Sequence, residues 1–234
     1  MESSFTGAQP TSAQAAGSGA EAVEIVYYTD PLCCWSWAFE PHWQRLRHDY
    51  GGTFRYRYCM GGLIPSWNNY SDSVTSVSRP AQMGPVWMEA AHTTGVPINT
   101  RIWIENPPAS SYLPCIAFKC AEAQGPAAAE SYLWRMREAV MVQGRNIALQ
   151  SVLVELAAEM AAQERGSLDA ARFSADLVGD SALEAFRRDL QEVQYRGINR
   201  FPTLVFRRHD RPSLITTGFC PYDHLQELMK KLLE

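Results

Sequence analysis

The chain of 234 residues has the composition of a globular protein, with 46% hydrophobic and 20% charged residues, and is long enough for one large domain or two small ones. A formal net charge of -4, with basic residues scattered among acids, argues against nucleic-acid binding. No segment reaches the roughly 18 apolar residues that a membrane span needs. We therefore expect neither nucleic acid nor membrane as a partner.

Residues 1–22 are rich in Ser, Ala, Gly and Gln and contain no apolar run, which is typical of a disordered tail. They also lack the basic start and the apolar stretch of a secretory signal. We therefore expect a cytoplasmic protein whose six cysteines are free or catalytic rather than paired in structural disulfides. The spacing of cysteines and histidines does not fit zinc, so we predict no metal site.

After the tail, the sequence predicts a strand, a helix and a second strand. Val23 to Thr29 is a β-branched and aromatic run of the kind that forms a buried strand. Large apolar residues then recur at spacings of three and four, which predicts a helix from about Trp35 to Asp49. Phe54 to Met60 alternates between apolar and polar residues, as a strand with one apolar face does. This order predicts two parallel strands joined by a right-handed crossover.

The rest of the chain is predicted to be helical first and then to return to strands. From about residue 75 to 195 the apolar residues follow a helical period. Two strands, Thr203 to Arg207 and Ser213 to Thr217, are predicted to form a hairpin, and Tyr222 to Leu233 a last helix. The residues expected to join the hairpin are His209, Asp210 and Pro212. We therefore predict an α/β fold in which residues 23–234 form one domain, with the helical block inserted between a βαβ half and a ββα half.

The segment DPLCCWSW, from Asp30 to Trp37, carries the candidate site. Cys33 lies after a strand and at the start of a helix, where backbone N–H groups and the helix dipole stabilise an anion. The pKa of a free thiol is about 8.5, and in such places it falls into the range of about 3.5 to 7.5. Cys33 is therefore the candidate nucleophile. Ser36 stands where a C-x-x-C motif has its second cysteine, and a hydroxyl cannot attack a mixed disulfide. The predicted site therefore has a single thiol.

Far downstream, the stretch RFPTLVF places Pro202 at the start of an apolar strand. Together, DPLCCWSWAFEP, the helical block and RFPTLVF resemble the DsbA-like branch of the thioredoxin superfamily over most of Val23 to Glu234. The resemblance implies a thioredoxin fold in which Pro202 follows a cis peptide bond and faces Cys33, so that Phe201 and Pro202 contribute to substrate binding.

Several neighbours of Cys33 allow more than one interpretation. Trp35 and Trp37 flank Ser36 and either line a substrate groove or pack in the core. Glu40 and His42 lie within two turns of Cys33 and are expected at exposed helix positions, with proton transfer as the alternative.

Three cysteines are candidates for resolving a mixed disulfide at Cys33. Cys34 is adjacent, and Cα atoms about 3.8 Å apart are too close for an unstrained disulfide. Cys59 precedes the end of the second strand, at the same sheet edge as the end of the first. Cys220 follows the terminal hairpin, whose second strand returns toward the site. The alternative for Cys59 and Cys220 is a small buried hydrophobe.

Three functions are compatible with these residues. The favoured one is a thiol-disulfide oxidoreductase or isomerase that acts through Cys33, without a bound cofactor and with glutathione or a protein thiol as partner. A second is suggested by resemblance to kappa-class glutathione transferases and 2-hydroxychromene-2-carboxylate isomerases, in which Ser36 would hold a glutathione thiolate. A third is a non-catalytic adaptor, because DPLC-x-x-x-W-A-x-E-P looks like the opening of DsbA-like proteins that deliver a partner to the ClpXP protease. The sequence predicts no oligomeric state.

Overall fold

The structure is a computed structural model that describes residues 23–72, 74–163, 167–208 and 211–234. The tail expected over residues 1–22 and the hairpin connection expected at His209 and Asp210 lie outside these ranges. Pro212, which was predicted in that connection, belongs to the last strand instead. Within the described ranges, no helix combines the length and the apolar character needed to cross a membrane.

Four strands form one mixed sheet in the order β2-β1-β3-β4. The strands are β1 (Val23–Thr29), β2 (Phe54–Met60), β3 (Thr203–Arg208) and β4 (Arg211–Thr217). The pair β1 and β2 is parallel, with Val23 opposite Phe54 and Thr29 opposite Met60, whereas β3 runs antiparallel to both β1 and β4. This arrangement confirms the predicted thioredoxin fold.

Helices cover both faces of the sheet, and a helical block lies between β2 and β3 in the chain. The helices are α1 (Cys34–Tyr50), α2 (Met83–Thr94), α3 (Ile102–Glu105), α4 (Tyr112–Glu122), α5 (Pro126–Met141), α6 (Gln150–Gln163), α7 (Ala170–Leu177), α8 (Asp180–Tyr195) and α9 (Tyr222–Leu233). The block from α2 to α8 is the insertion that the helical period predicts.

Side chains of β1, one of the two interior strands, alternate between two apolar clusters. Ile25 and Tyr27 belong to a large cluster that also contains the buried face of α1 and most of the insertion. Val26 and Tyr28 point to the opposite face and join a small cluster. The members of the small cluster are Val26, Tyr28, Cys33, Cys59, Phe201 and Val205. Because strand side chains alternate between faces, this register places Cys33 against the second face of the sheet.

Candidate functional site

The sulfur of Cys33 lies between the first turn of α1 and the peptide that precedes Pro202. Cys33 is the N-cap residue of α1, and its Sγ accepts a hydrogen bond from the Ser36 N–H at 3.4 Å. The thiol donates to the carbonyl oxygen of Phe201 at 3.3 Å, and the Phe201–Pro202 peptide bond is cis. The sulfur thus contacts both segments that the sequence singled out, although they are 168 positions apart.

The environment of Cys33 raises its pKa rather than lowering it. Burial is the main cause, since the residue is only 5% exposed, and the nearby Asp30 carboxylate acts in the same direction. Hydrogen bonds from Ser36 and the positive charge of Arg137 oppose the rise in pKa without cancelling it. The expectation of a lowered thiol pKa is therefore wrong, because removing a thiolate from water costs more than the helix N-terminus returns.

Ser36 is buried beneath this sulfur in the first turn of α1. Its Oγ has no hydrogen-bond partner of suitable geometry among the described residues. The hydroxyl is therefore available to stabilise a Cys33 thiolate by donating to it, which is the interaction that opposes the rise in pKa.

All six cysteines are free thiols, and two of the three candidates for resolution point away from Cys33. Cys34 Sγ faces the carbonyl oxygen of Val86 in α2 at 4.0 Å. Cys220 belongs to the large apolar cluster, and its Sγ lies 3.7 Å from the Pro221 carbonyl oxygen. The loop that carries Cys220 does lie beside the site, because the Gly218 N–H donates to the Pro202 carbonyl at 2.7 Å. The backbone is where the topology predicts it, but the thiol turns toward the core.

Cys59 shares the small apolar cluster with Cys33. Its thiol donates to the carbonyl oxygen of Asp189 in α8 at 3.6 Å, and burial strongly raises its pKa. The sulfur is therefore held against α8 as a buried thiol. Among the described residues, no three His, Cys, Asp or Glu side chains are grouped in a way that could hold a metal ion.

The aromatic neighbours of Cys33 differ in role. Trp35 is partly exposed and contacts both apolar clusters, with its ring 6.3 Å from that of Phe219. Trp37 is buried, and its indole N–H donates to the Pro97 carbonyl at 3.1 Å. Trp35 and Phe219 therefore stay partly accessible, whereas Trp37 holds α1 against the insertion.

Phe201 depends on a glycine at the end of β2. A Cβ atom on Gly61 would lie 2.0 Å from the Cζ atom of the Phe201 ring, which is far inside van der Waals contact. Gly61 thus leaves room for this ring. The Phe201 ring in turn closes one side of the Cys33 cluster.

Asp30 joins three segments directly behind Cys33. Its buried carboxylate accepts hydrogen bonds from the N–H groups of Leu32 at 2.8 Å and Leu63 at 2.7 Å, and from the Ser111 hydroxyl at 2.8 Å. Burial raises the pKa of this carboxyl group, while the hydrogen bonds oppose the rise. The residue holds the end of β1, the segment after β2 and the start of α4 together.

Two residues near the site carry no pattern in the sequence that would identify them. Tyr70, in the segment after β2, has its pKa raised to about 12 by burial, with contributions from the charges of Asp72 and Cys33. Arg137 comes from α5 of the insertion and is completely buried. A lone tyrosine in a loop and an arginine in a helix have many possible locations, so only the folded chain reveals their proximity to Cys33.

Glu40 and His42 occupy buried and half-buried positions, so the expectation of exposure is wrong for both. Glu40 Oε2 accepts a hydrogen bond from Arg137 at 2.8 Å. His42 Nδ1 accepts the N–H of Tyr222 at 3.2 Å and thereby caps the start of α9. Neither residue has a hydrogen bond to Cys33 among the bonds that the described residues make.

A family model described as Thioredoxin matches residues 27–227 of this chain. The ClpXP adapter protein SpxH of Halalkalibacterium halodurans is 32% identical over 213 residues, which are 90% of this chain and 68% of that protein. The chain is also similar to the cytosolic disulfide reductase DsbM of Pseudomonas aeruginosa, at 25% identity and a TM-score of 0.68, over 89% of this chain and 98% of that one.

DsbM has also been solved with GSH. The structure of a 2-hydroxychromene-2-carboxylate isomerase aligns with a TM-score of 0.63 at 19% identity, over 90% of this chain and 96% of that one, and this likeness concerns the fold alone. The family match spans both halves of the sheet and the insertion between them. The chain therefore belongs to the DsbA-like branch of the thioredoxin superfamily.

Proposed function

We propose that this protein carries out thiol-disulfide exchange with Cys33 as its nucleophile. The observation that carries the proposal is the position of Cys33 Sγ, which accepts the Ser36 N–H at the start of α1 and contacts the Phe201 carbonyl at 3.3 Å. In the first step, the Cys33 thiolate attacks a disulfide R–S–S–R′, so that a Cys33–S–S–R bond forms and R′ leaves as a thiolate.

The second step needs a thiol from outside the motif, because Ser36 cannot attack the mixed disulfide. We infer that glutathione or a protein thiol supplies it: the incoming thiolate attacks the R-bearing sulfur and forms a new disulfide with the R–S group, and the Cys33 thiolate leaves. The net reaction exchanges one thiol partner of a disulfide for another, without net oxidation or reduction. The similarity to DsbM, which is named a cytosolic disulfide reductase and has been solved with GSH, supports a thiol partner and a cytoplasmic site of action.

The test is to incubate the reduced protein with oxidised glutathione and to locate adducts by mass spectrometry. We expect one glutathione adduct, on Cys33, which forms slowly at neutral pH and faster as pH rises, because the thiol pKa is raised. Cys34→Ser is a matched control, since Cys34 is an adjacent and equally buried free thiol. An adduct on Cys34 at the same rate, or none on Cys33 at any pH at which the protein is folded, would refute the proposal.

A second candidate function is that of a ClpXP adaptor, and the 32% identity to the SpxH protein of H. halodurans favours it. On this hypothesis the fold presents a binding surface, and the Cys33 thiol is dispensable. Purified ClpX should then bind the wild-type protein and Cys33→Ser with equal affinity. If neither binds ClpX, the adaptor function is excluded for this chain. No comparable observation favours a glutathione transferase or isomerase.

A further inference from the structure

One buried arginine connects the insertion to both segments that flank Cys33. Arg137 in α5 is fully buried, and its Nη1 donates to Glu40 Oε2 in α1 at 2.8 Å. Its other terminal nitrogen donates to the hydroxyl of Thr29, the last residue of β1. Cys33 lies between Thr29 and Glu40 in the chain. A single guanidinium therefore ties the end of the strand before the nucleophile to the helix after it.

The same two helices carry a second ion pair that does not reach the site. Arg47 of α1 pairs with Glu130 of α5, and Arg47 also donates to Tyr56 of β2 at 2.9 Å. The second pair lies seven residues after the first along α1 and seven residues before it along α5. The two helices therefore run antiparallel, and the pairs are separated by about 10 Å along them. The second pair joins the same elements as the first, but at the end of α1 that is distant from Cys33.

The charge of Arg137 lies close enough to act on the Cys33 sulfur. Among the described residues, the titratable groups that interact electrostatically with Cys33 include Tyr27, Asp30, Cys34, Tyr70 and Arg137, which come from β1, the loop after it, α1, the segment after β2 and α5. Asp30 disfavours the thiolate and Arg137 favours it. Ser36 adds a neutral hydrogen-bond donor in the first turn of α1.

Stability alone does not account for this arrangement. A buried ion pair is a weak source of stability, since a well-packed apolar pair of the same size often serves as well. The Nε atom of Arg137 also has no hydrogen-bond partner among the described residues. The Nε atom of Arg47 shares this feature, so what distinguishes Arg137 is its charge beside a nucleophilic sulfur, an arrangement that shifts pKa values at functional sites.

We propose that Arg137 is a positioning residue for the Cys33 thiol: it holds the end of β1 against α1 and keeps a positive charge near the sulfur, with Glu40 as its counter-ion. This inference deepens the proposed function, because it takes Cys33 to be the reacting atom. It assigns the insertion a direct part in setting the reactivity of the thioredoxin half of the molecule.

The test compares Arg137→Met, Glu40→Gln and the double variant, with Arg47→Met and Glu130→Gln as matched controls on the same helices. The readout is the pH profile of Cys33 alkylation by iodoacetamide in the reduced, folded protein, followed by mass spectrometry. Local opening changes the plateau rate of alkylation, whereas a change of nearby charge moves the midpoint of the profile. No disulfide substrate is present, so the measurement is independent of exchange activity.

We expect Arg137→Met to move the midpoint to higher pH and Glu40→Gln to move it to lower pH. Relative to the plateau, the rate at pH 7.5 should fall roughly fivefold in Arg137→Met, as expected for loss of a partly screened charge interaction. The double variant should lie between the two single variants. Arg47→Met and Glu130→Gln should leave the midpoint unchanged even where they lower stability.

An ion pair with a purely structural role would not move the midpoint of the alkylation profile in opposite directions when its two members are replaced in turn. If Arg137→Met and Glu40→Gln move the midpoint in the same direction, or if the controls move it equally, the positioning role is refuted. If Arg137→Met does not fold, the remaining two variants still provide the test. The midpoint of Glu40→Gln should then lie at lower pH than that of the double variant. Opposite shifts without any glutathione adduct on wild-type Cys33 would overturn the proposed function but not the role of Arg137.

Discussion

Replacing Gly61 with Ala tests whether the Phe201 ring shapes the Cys33 site. The new Cβ would lie 2.0, 2.4 and 2.5 Å from three ring carbons of Phe201, whereas carbon atoms in contact are about 3.5 to 4.0 Å apart. Gly61 does not have a positive φ, so the cost is steric. We expect a loss of about 2 kcal/mol in the free energy of unfolding, the usual range for overpacking, and a Tm lower by about 4 to 8 °C.

Displacing the ring also displaces the Phe201 backbone, whose carbonyl oxygen accepts a hydrogen bond from the Cys33 thiol. Gly61→Ala should therefore alkylate faster at Cys33, which mass spectrometry measures alongside urea denaturation. Gly84→Ala is the control: no atom lies within 4 Å of its added Cβ, and it lies in helix α2, so it should be neutral or stabilising by up to about 1 kcal/mol.

The double variant Gly61→Ala with Phe201→Leu removes the ring carbons that the new Cβ would meet. Its loss of stability should be smaller than the sum of the two single losses, because the two sites are in direct contact. If Gly61→Ala unfolds at the wild-type Tm with unchanged Cys33 alkylation, or if the two losses are additive, the Phe201 ring does not shape the Cys33 site.

Three further predictions follow from the contacts around the site. Burial acts to raise the pKa of Glu192, but hydrogen bonds, above all the one from Arg57, lower it from 4.5 to about 2. The free energy of unfolding of the wild-type protein should therefore fall as the pH drops from 4.5 to 2, and urea denaturation should show no such fall in Glu192→Gln. Asp30→Ala leaves four donors, the N–H groups of Leu32 and Leu63, the Ser111 hydroxyl and the Cys115 thiol, without their acceptor. It should cost at least about 3 kcal/mol, more than Asp30→Asn, and equal losses would contradict this role. Cys33 should exchange with glutathione at the wild-type rate in Cys59→Ala and in Cys220→Ala, because the thiols of Cys59 and Cys220 are directed to backbone carbonyls. A lower rate in either variant would identify a resolving thiol.

Most of the secondary structure near the site could be predicted from the sequence. The bounds of β1, β2 and the last helix agree with the predicted ranges, and α1 extends one residue further at each end than predicted. These elements are defined by local periodicity, which depends on neighbours within a few positions. The predicted start of α1 at about Trp35 placed Cys33 near a helix N-terminus, and in the structure Cys33 is the N-cap residue.

The reactivity of the site could not be predicted in the same way. The sequence indicated a stabilised thiolate at Cys33, but the thiol is buried and its pKa is raised. Burial results from packing against Phe201, 168 positions away, and the opposing charge belongs to Arg137, which lies more than a hundred positions downstream in α5. Desolvation depends on everything that surrounds an atom, so a motif that specifies only its own local backbone cannot determine it.

The sequence by itself therefore determined the βαβ and ββα frame, the place of the insertion and the position of Cys33 in the loop between β1 and α1, because periodicity and turn residues act locally. The tertiary structure alone decided which thiols are kept away from Cys33, which ring closes its cluster and which buried charge lies near its sulfur. Those properties arise where segments distant in the chain pack together and exclude water, and the spacing of residues along the chain does not record them.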